Sequence, residues 1–251
     1  MPDIRSISRI VVAAIAGVSA VACVVITTRA YQKTRRSGEI IRVTGSARRE
    51  IRSDFIIWQC TAKEERPTAT AAFASLHSDT GRIVDYLKKQ GIKPEEIVPM
   101  PINTSVLHPP LDANVRDDSA VSRPITGYRL TQAIQVRSKD VVHVDTVARG
   151  ATELMSLGIP LTSDAPEFLY TGIDKLKLEL LNEASSDARS KAEGIAISCG
   201  SHVGELKYAR AGVTQIEALS ATEGVTDTGA NDTSSLDKKV TVVVRTDFTI
   251  K

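Results

Sequence analysis

The sequence predicts an α+β fold, in which helices pack in a second layer on one face of a mostly antiparallel sheet. Several segments alternate apolar and polar side chains with the two-residue period of a half-buried strand. Three longer segments repeat apolar side chains at helical spacing. From residue 54 to residue 171 these segments follow the order β-α-β-β-α-β, which is the order of a ferredoxin-like unit.

The remaining segments predict a second small α/β unit. Residues 39–53 supply an early strand, and residues 172–251 supply a long helix and two final strands. A helix on one face would bury the apolar side of such a sheet. The whole predicted domain therefore covers residues 39–251, with the ferredoxin-like unit at 54–171.

The first elements are two strands and a helix. Residues 40–44 form a short strand that ends at Gly45, and residues 54–62 form a second strand. Thr68 suits the N-cap of the helix, and Gly91 suits the positive φ that often follows a helix. The inward face of the second strand holds Ile56, Trp58, Cys60 and Ala62, and the helical stripe holds Phe73, Leu76, Ile83, Val84 and Leu87.

The middle of the chain continues this pattern. Residues 96–104 predict a weaker strand at a sheet edge, because Pro99 and Pro101 cannot donate to a strand ladder. Residues 105–124 predict a long, proline-containing loop. The strand that follows has inward positions Tyr128, Leu130, Gln132, Ile134 and Val136. The second helix has the stripe Val144, Val147, Ala148, Ala151, Leu154 and Met155 and ends at Gly158, and a short strand follows at Glu167–Tyr170.

The third helix, at about 173–199, is the longest. Its opposite face holds the i,i+4 pairs Asp187–Lys191 and Arg189–Glu193, which we interpret as solvated charges. A strand at 204–212, a polar loop at 214–238 and a final alternating strand complete the chain. The stripe of the third helix is Ile173, Leu176, Leu180, Ala184, Ala188, Ala192, Ile195 and Cys199, and Gly200 ends it.

The N-terminus predicts membrane insertion. Residues 1–9 are short and basic, and residues 10–28 hold no charge over a length that can cross a hydrocarbon core as a helix. Small residues around Ala20 also suit a signal peptidase, and Cys23 leaves lipidation open as a third alternative. Residues 29–38 form a basic linker. Basic residues flank both sides of the segment, so its charges do not assign an orientation.

The composition excludes a nucleic-acid-binding domain. The formal net charge is +2, but the first 36 residues hold six Lys and Arg side chains against one Asp, so the rest of the chain is net acidic. Nucleic-acid binding needs a clustered basic face. Cys60 and Cys199 are predicted to be buried, and free thiols are favoured over a disulfide between them.

The sequence assigns no catalytic, cofactor-binding or metal-ligating residue, and we expect the protein not to be an enzyme. The four histidines lack a second ligand at a metal-binding spacing. The GxSxG, GxxxxGK[ST] and GxGxxG motifs are absent. Glu64 and Glu65 are neighbouring carboxylates that we interpret as charges for solubility. The histidines are His77, His108, His143 and His202.

Four segments resemble the SIMPL domain family, whose function is poorly defined. They are VTGSARREIRSD (43–54), GYRLTQAIQVRSKD (127–140), NEASSDARSKAEGIAISCGSHVGEL (182–206) and KKVTVVVRTDFTI (238–250). The resemblance implies a bacterial envelope location, and some relatives form ring-like or channel-like homo-oligomers or are associated with oxidative-stress defence. It implies no catalytic residues.

Two functions remain open from the sequence. The first is a protein of the inner membrane, anchored by its N-terminal helix, whose periplasmic domain self-assembles and supports envelope or stress tolerance. A domain secreted to the periplasm after signal cleavage is the alternative location. The second function is a binding module that holds an unknown ligand, peptide or protein in a groove beside the loop at 105–124.

Overall fold

The computed structural model describes residues 39–109, 124–221 and 229–251, together with the helical residues 17, 19 and 21–28. Within this part of the chain, no helix has both the length and the apolar character needed to cross a membrane. Nine of the nineteen residues of the predicted membrane segment at 10–28, and all of the linker at 29–38, lie outside the described residues. The anchor and its alternatives therefore stay predictions.

The structure confirms the α+β fold with mostly antiparallel sheets. The strands are β1 (Ile40–Arg52), β2 (Phe55–Arg66), β3 (Ile97–Pro99), β4 (Asn103–Leu107), β5 (Gly127–Ser138), β6 (Leu161–Ser163), β7 (Glu167–Leu169), β8 (Val203–Ala211), β9 (Gln215–Ala218), β10 (Ala230–Asn231) and β11 (Asp237–Ile250). The helices are α1 (Ala69–Lys89), α2 (Val141–Gly150), α3 (Glu153–Ser156) and α4 (Ile173–Ser198), with a 3-10 turn at Pro94–Glu96.

One compact unit consists of residues 49–175 and 215–240. Its main sheet has the strand order β3-β5-β2-β6, with β4 also on β5 and β7 also on β2, and these pairs are antiparallel. Helices α1 and α2 pack on β2 and β5. The core lies between these layers, and the ferredoxin-like assignment of residues 54–171 stays a prediction.

The period-two pattern of β2 correctly predicts its buried face. Ile56, Trp58, Cys60 and Ala62 are each at most 1% exposed. The indole Nε1 of Trp58 donates to the Ser163 hydroxyl at 3.1 Å, so its polar atom is satisfied inside the core.

Local signals also predict the ends of α1 correctly. Thr68 caps the helix by accepting from the Ala71 amide at 3.3 Å, and Gly91 has a φ of +89°. Phe73 departs from the predicted stripe, because it is 49% exposed and stacks on His77 with a centroid distance of 6.0 Å.

Three expectations for this unit are wrong in detail. The strand predicted at 96–104 is divided into β3 and β4, which extends to Leu107, because the intervening prolines interrupt the ladder. The second helix ends at Gly150 and is followed by the separate turn α3, where Met155 is 56% exposed. The three-residue strand β6 was not predicted, because it is too short to show a period.

The second compact unit consists of residues 1–48, 176–214 and 241–251. β11 lies between β1 and β8, and α4 packs on this sheet through a cluster that includes Val43, Ala188 and Phe248. The buried stripe of α4 is Leu176, Leu180, Ala184, Ala188, Ala192 and Ala196.

The end of α4 corrects the predicted stripe. Ala196 is buried in place of Ile195, which is 47% exposed, and Cys199 is exposed as well. The buried residues keep a step of four from Leu176 to Ala196, whereas the predicted stripe changes to a step of three at Ile195, which lies about 100° around the helix from Ala196. Gly200 has a φ of +72°, as predicted for the residue after the helix.

The segment predicted as a loop at 214–238 contains two strands, β9 and β10, which pair in parallel. Two buried lysines at the start of β11 hold this region. Lys238 Nζ donates to the carbonyls of Phe168 and Asp232 at 2.6 and 2.5 Å. Lys239 Nζ donates to the Ala221 carbonyl. The two lysines thus bind the backbone carbonyls of Ala221 and Asp232, which lie on either side of residues 222–228. Residues 222–228 lie outside the described residues.

Candidate functional site

Strand β8 forms an exposed edge of its sheet. Among the described residues its only strand partner is β11. Residues 205–211 are all exposed, including Leu206 at 55% and Tyr208 at 51%. The unpaired amides and carbonyls of an edge strand can accept a further strand from another chain.

The opposite edge of the same sheet, β1, is occupied by side chains of α4. The Ser46 amide donates to Asp187 Oδ2 at 2.8 Å. Lys191 Nζ donates to the Thr44 carbonyl at 3.3 Å and to Asp187 Oδ2 at 2.7 Å. The predicted Asp187–Lys191 pair is present and its side chains are partly exposed, and both residues also bind the strand backbone, which the sequence did not predict.

Gly45 allows α4 to approach β1 closely enough for these bonds. A Cβ atom at Gly45 would lie 2.1 Å from the Ala184 carbonyl oxygen and 2.5 Å from the Ala188 amide nitrogen. The strand predicted to end at Gly45 instead continues to Arg52. Gly45 is therefore needed for the packing of α4 and not for a turn. In the sequence, the signal for this contact is a strand glycine together with a helical stripe of alanines.

These two edges differ in what they can bind. The Asp187 and Lys191 side chains already use the outward amide of Ser46 and the outward carbonyl of Thr44 on β1. The edge strands β3 and β4 in the other unit are only three and five residues long, and β3 ends at Pro99. Short strands and prolines discourage strand addition. The nine-residue β8 is thus the best candidate for a functional edge.

The sheet face opposite α4 carries charged side chains beside β8. Arg42 forms two bonds with Asp247, at 2.9 and 3.0 Å, and these bonds lower the pKa of the Asp247 carboxyl. In the β8–β11 register, Tyr208 lies opposite Asp247 and Arg210 lies opposite Arg245. Polar and charged groups therefore border the open edge on this face.

The cysteines separate into a buried thiol and exposed ones. Cys60 is fully buried in the core, and burial raises the pKa of its thiol to about 12. Cys199 is exposed, so the prediction that it is buried is wrong, because it lies on the outward side of the last helical turn. No disulfide joins the two residues, as expected. A reactive thiol needs thiolate character, which the setting of Cys60 opposes.

The predicted histidines do not converge. His143 Nε2 lies 2.8 Å from the Gln90 carbonyl, and His108 Nδ1 lies 3.2 Å from the Pro124 carbonyl. His77 stacks on Phe73. Within the described part of the chain, no group of three or more His, Cys, Asp and Glu residues is placed to hold a metal ion.

Glu64 is the buried carboxyl that the sequence interpretation missed. It is 5% exposed, whereas its neighbour Glu65 is exposed as predicted. The Glu64 carboxylate lies 2.7 Å from Arg66 Nη1. Burial raises the pKa of Glu64, the Arg66 charge opposes this rise, and a hydrogen bond with Asp79 of α1 adds to it. The signal was its position on the inward face of β2, two residues after Ala62.

Glu64 also lines a shallow depression of about 370 Å³. Its wall includes the side chains of Met155, Pro160 and Leu161, and its rim includes Lys63 and Arg66. The depression is distinct from the groove expected beside residues 105–124, most of which lie outside the described residues.

Comparison with known protein families gives a match over most of the chain. The model of the family SIMPL, described as "Protein of unknown function (DUF541)", matches residues 41–248. No curated protein matches the chain.

Proposed function

Because the chain belongs to the SIMPL family, whose function is unknown, we propose that it is a non-catalytic envelope protein whose domain self-assembles. The assembly supports envelope integrity or tolerance of oxidative stress. The N-terminal segment holds the chain in the bacterial inner membrane with the domain in the periplasm. In the alternative arrangement the segment is cleaved and the domain is free in the periplasm.

The open edge of β8 is the observation that carries this proposal. A nine-residue strand with exposed Leu206 and Tyr208 presents both backbone groups and apolar side chains to a partner. The charge-free segment at 10–28 supports the membrane location, since it has the length of a membrane-spanning helix. Membrane attachment would raise the effective concentration of the domains and favour weak association.

The test is the absolute mass of the full chain, purified in a mild detergent and measured by light scattering over a range of concentrations. A mass that rises to a defined oligomer supports self-assembly. A strict monomer at every concentration contradicts it.

A proline variant tests whether the open edge of β8 is responsible for self-assembly. The bond from the Gly212 amide to the Val243 carbonyl directs Gly212 toward β11, so strand alternation directs the Ala209 amide away from it. Ala209→Pro should therefore remove an outward donor and leave the β8–β11 ladder intact, because proline is tolerated at such positions. We expect this variant to be monomeric, whereas the control Ala209→Thr, which keeps the amide, should assemble.

The depression beside Glu64 favours a second candidate function, a binding module. Its buried carboxyl, two basic side chains and apolar wall can hold a small polar ligand or a peptide side chain. Thermal-shift measurement with a panel of amines, amino acids and short peptides tests this function. A stabilisation that is lost in Glu64→Gln supports it, and the absence of any shift contradicts it.

A further inference from the structure

The backbone of β8 changes direction at one point along the strand. The Gly212 amide donates to Val243 of β11 and the Glu205 amide donates to the Thr249 hydroxyl, so both amides point toward β11. These residues are seven positions apart, which simple alternation does not allow. The register shift between Tyr208 and Leu206 supplies the extra residue.

Because of this shift, the outward-directed backbone groups of β8 lie symmetrically about one point along the strand. Backbone groups alternate in direction along a strand, so from Gly212 the backbone amides and carbonyls of Arg210 and Tyr208 point toward β11 and those of Ala209 point outward. By the same alternation from Glu205, the backbone amide and carbonyl of Leu206 point outward. Leu206 and Ala209 are therefore equivalent about a point between Lys207 and Tyr208, and Glu205 and Arg210 are equivalent about the same point.

The side chains agree with this symmetry. Leu206 lies opposite Phe248, which packs against α4, so the adjacent Glu205 points to the other face of the sheet. Arg210 lies opposite Arg245 on that same outer face, since Arg245 is two residues before Asp247, the partner of Arg42. Glu205 and Arg210 thus share a face, as directly opposed residues in an antiparallel pair must.

We propose that β8 pairs antiparallel with β8 of a second copy of this chain, about a two-fold axis between Lys207 and Tyr208. The proposal rests on the proposed self-assembly and names its partner and register. In this register Glu205 of each copy opposes Arg210 of the other, and Leu206 opposes Ala209. The outward groups of Leu206 and Ala209 then exchange backbone hydrogen bonds.

Neighbouring registers satisfy these requirements less well. Moving the axis by half a residue toward the C-terminus places Leu206 opposite Arg210, which pairs an outward-directed residue with an inward-directed one. Moving it by one full residue places Lys207 opposite Arg210, and like charges directly opposed destabilise a strand pair. Of these three registers, the one with its axis between Lys207 and Tyr208 is the one that opposes Glu205 to Arg210 and joins the outward groups of Leu206 and Ala209.

The interface is small, so the association it gives is weak. A pair of strands of this length buries less surface than the roughly 1,200 Å² of total area typical of stable complexes. Because the pairing is two-fold, each charge reversal acts on two ion pairs, and we expect large effects on a weak equilibrium.

A charge swap in the full chain tests the register. Glu205→Arg and Arg210→Glu should each weaken dimerisation roughly tenfold, because each turns two attractions into two repulsions. The double variant Glu205→Arg/Arg210→Glu restores both attractions and should return the dimerisation constant to within about threefold of the original. Light scattering and sedimentation in the same detergent provide the readout, and circular dichroism confirms that each variant folds.

Cysteine cross-linking tests the same register by geometry. The background is Cys23→Ser/Cys199→Ser, which removes the exposed native thiols and leaves Cys60 buried. Glu205→Cys/Arg210→Cys places the introduced thiols opposite each other in a non-hydrogen-bonded pair, whose Cα atoms about 4.5 Å apart permit a disulfide. We expect a covalent dimer under mild oxidation. Glu205→Cys alone, the matched control, should stay monomeric on a denaturing gel, because its thiol lies opposite Arg210 and far from the introduced thiol of the second copy.

The outcomes separate the two proposals. If the chain forms an oligomer whose dimerisation constant is unchanged by the charge swap and whose introduced cysteines do not cross-link, the β8 register is overturned while self-assembly stands. A strict monomer overturns both. Rescue by the double variant together with selective cross-linking establishes the two-fold β8 pair.

Discussion

Gly45 is a residue at which β1 and α4 approach each other closely. A side chain here would collide with backbone of Ala184 and Ala188, which cannot move aside as the end of a flexible side chain can. The alanine stripe of α4 has the same effect from the other side, because small side chains let the helix backbone approach the sheet. The absence of a side chain at Gly45 therefore allows α4 to pack closely on the sheet.

Gly45→Ala should therefore destabilise the protein by about 3 kcal/mol, the upper range for overpacking a core. Chemical denaturation followed by circular dichroism measures the change. Gly194→Ala is the matched control, since nothing lies within 4 Å of its added Cβ and it sits in α4. It should stabilise the helix by roughly 0.5–1 kcal/mol. Equal effects of the two variants would contradict the close approach at Gly45.

Cys60 provides a second prediction at this scale. Its pKa is raised from 9.0 to about 12 in the folded protein, so folding favours the protonated thiol. Its contribution to stability is complete below pH 9 and is lost as the pH rises toward 12. The free energy of unfolding should fall over this range more steeply than in Cys60→Ala, measured by urea titration. Parallel curves for the two proteins would refute the assignment.

Thiol labelling gives an independent check on the cysteines. In the native full chain an aromatic disulfide reagent should modify Cys199 rapidly, because Cys199 is exposed, and Cys60 only after unfolding, because burial blocks access and raises the pKa of the Cys60 thiol. Cys199→Ser should remove the fast phase attributed to this residue. Labelling of Cys60 in the native protein would contradict its burial.

Individual residues show where sequence patterns succeed and where they fail. The inward face of β2 and the cap at Thr68 follow from spacing and local chemistry, which the sequence displays directly. The burial of Glu64 and the role of Gly45 depend on partners in distant parts of the chain. No local pattern contains that information, although both residues occupy positions that point inward.

At the scale of elements, α4 acts on β1 both as a packing partner and as a source of hydrogen bonds. Asp187 and Lys191 bind one strand amide and one strand carbonyl. The bond to Lys191 first, and the Ser46 amide second, lower the pKa of Asp187. This pair joins the helix to the edge of the sheet that it covers.

Asp187→Ala should lower the melting temperature more than Glu193→Ala does, even though alanine favours the helix in both cases. Glu193 is the control because it pairs with Arg189 on the same helix. The lowered pKa of Asp187 means that its contribution is present above pH 3.8 and is lost as the pH falls through the folded value. The difference between the variants should shrink in acid, and a constant difference would contradict this assignment.

Elements with long periods were predicted well, and short or interrupted ones were not. Helix α4 and strand β5 repeat their patterns often enough to be recognised. Strand β6 has three residues, and β9 and β10 lie in a polar segment where the pairing of β9 with β11 and of β10 with β9 overrides composition. The candidate edge β8 could be predicted as a strand, but its unpaired side depends on the topology of the whole sheet.

At the scale of the molecule, the chain passes between its two compact units four times. The boundaries fall within β1, α4 and β11 and between β8 and β9. Neither unit is a continuous segment of sequence, so neither can lose its structure without disturbing elements that continue into the other. We therefore infer that the two unfold together.

Trp58 allows this inference to be tested, because it is the only tryptophan and is buried in the unit formed by residues 49–175 and 215–240. Its fluorescence reports that unit, whereas far-ultraviolet circular dichroism reports the whole chain. The two signals should give coincident urea transitions, the usual sign of two-state unfolding. Separate midpoints would show that the units unfold independently.

The occupied edge at β1 also limits what strand pairing can build. With Asp187 and Lys191 bound to β1 at Ser46 and Thr44, β8 is the open end of the sheet formed by β1, β11 and β8 within the described residues, which makes each chain a monovalent unit for strand pairing. Monovalent units terminate growth at two members. Edge pairing through β8 can thus produce a closed pair but cannot propagate into a fibre, and a ring of more chains would need a second, different contact.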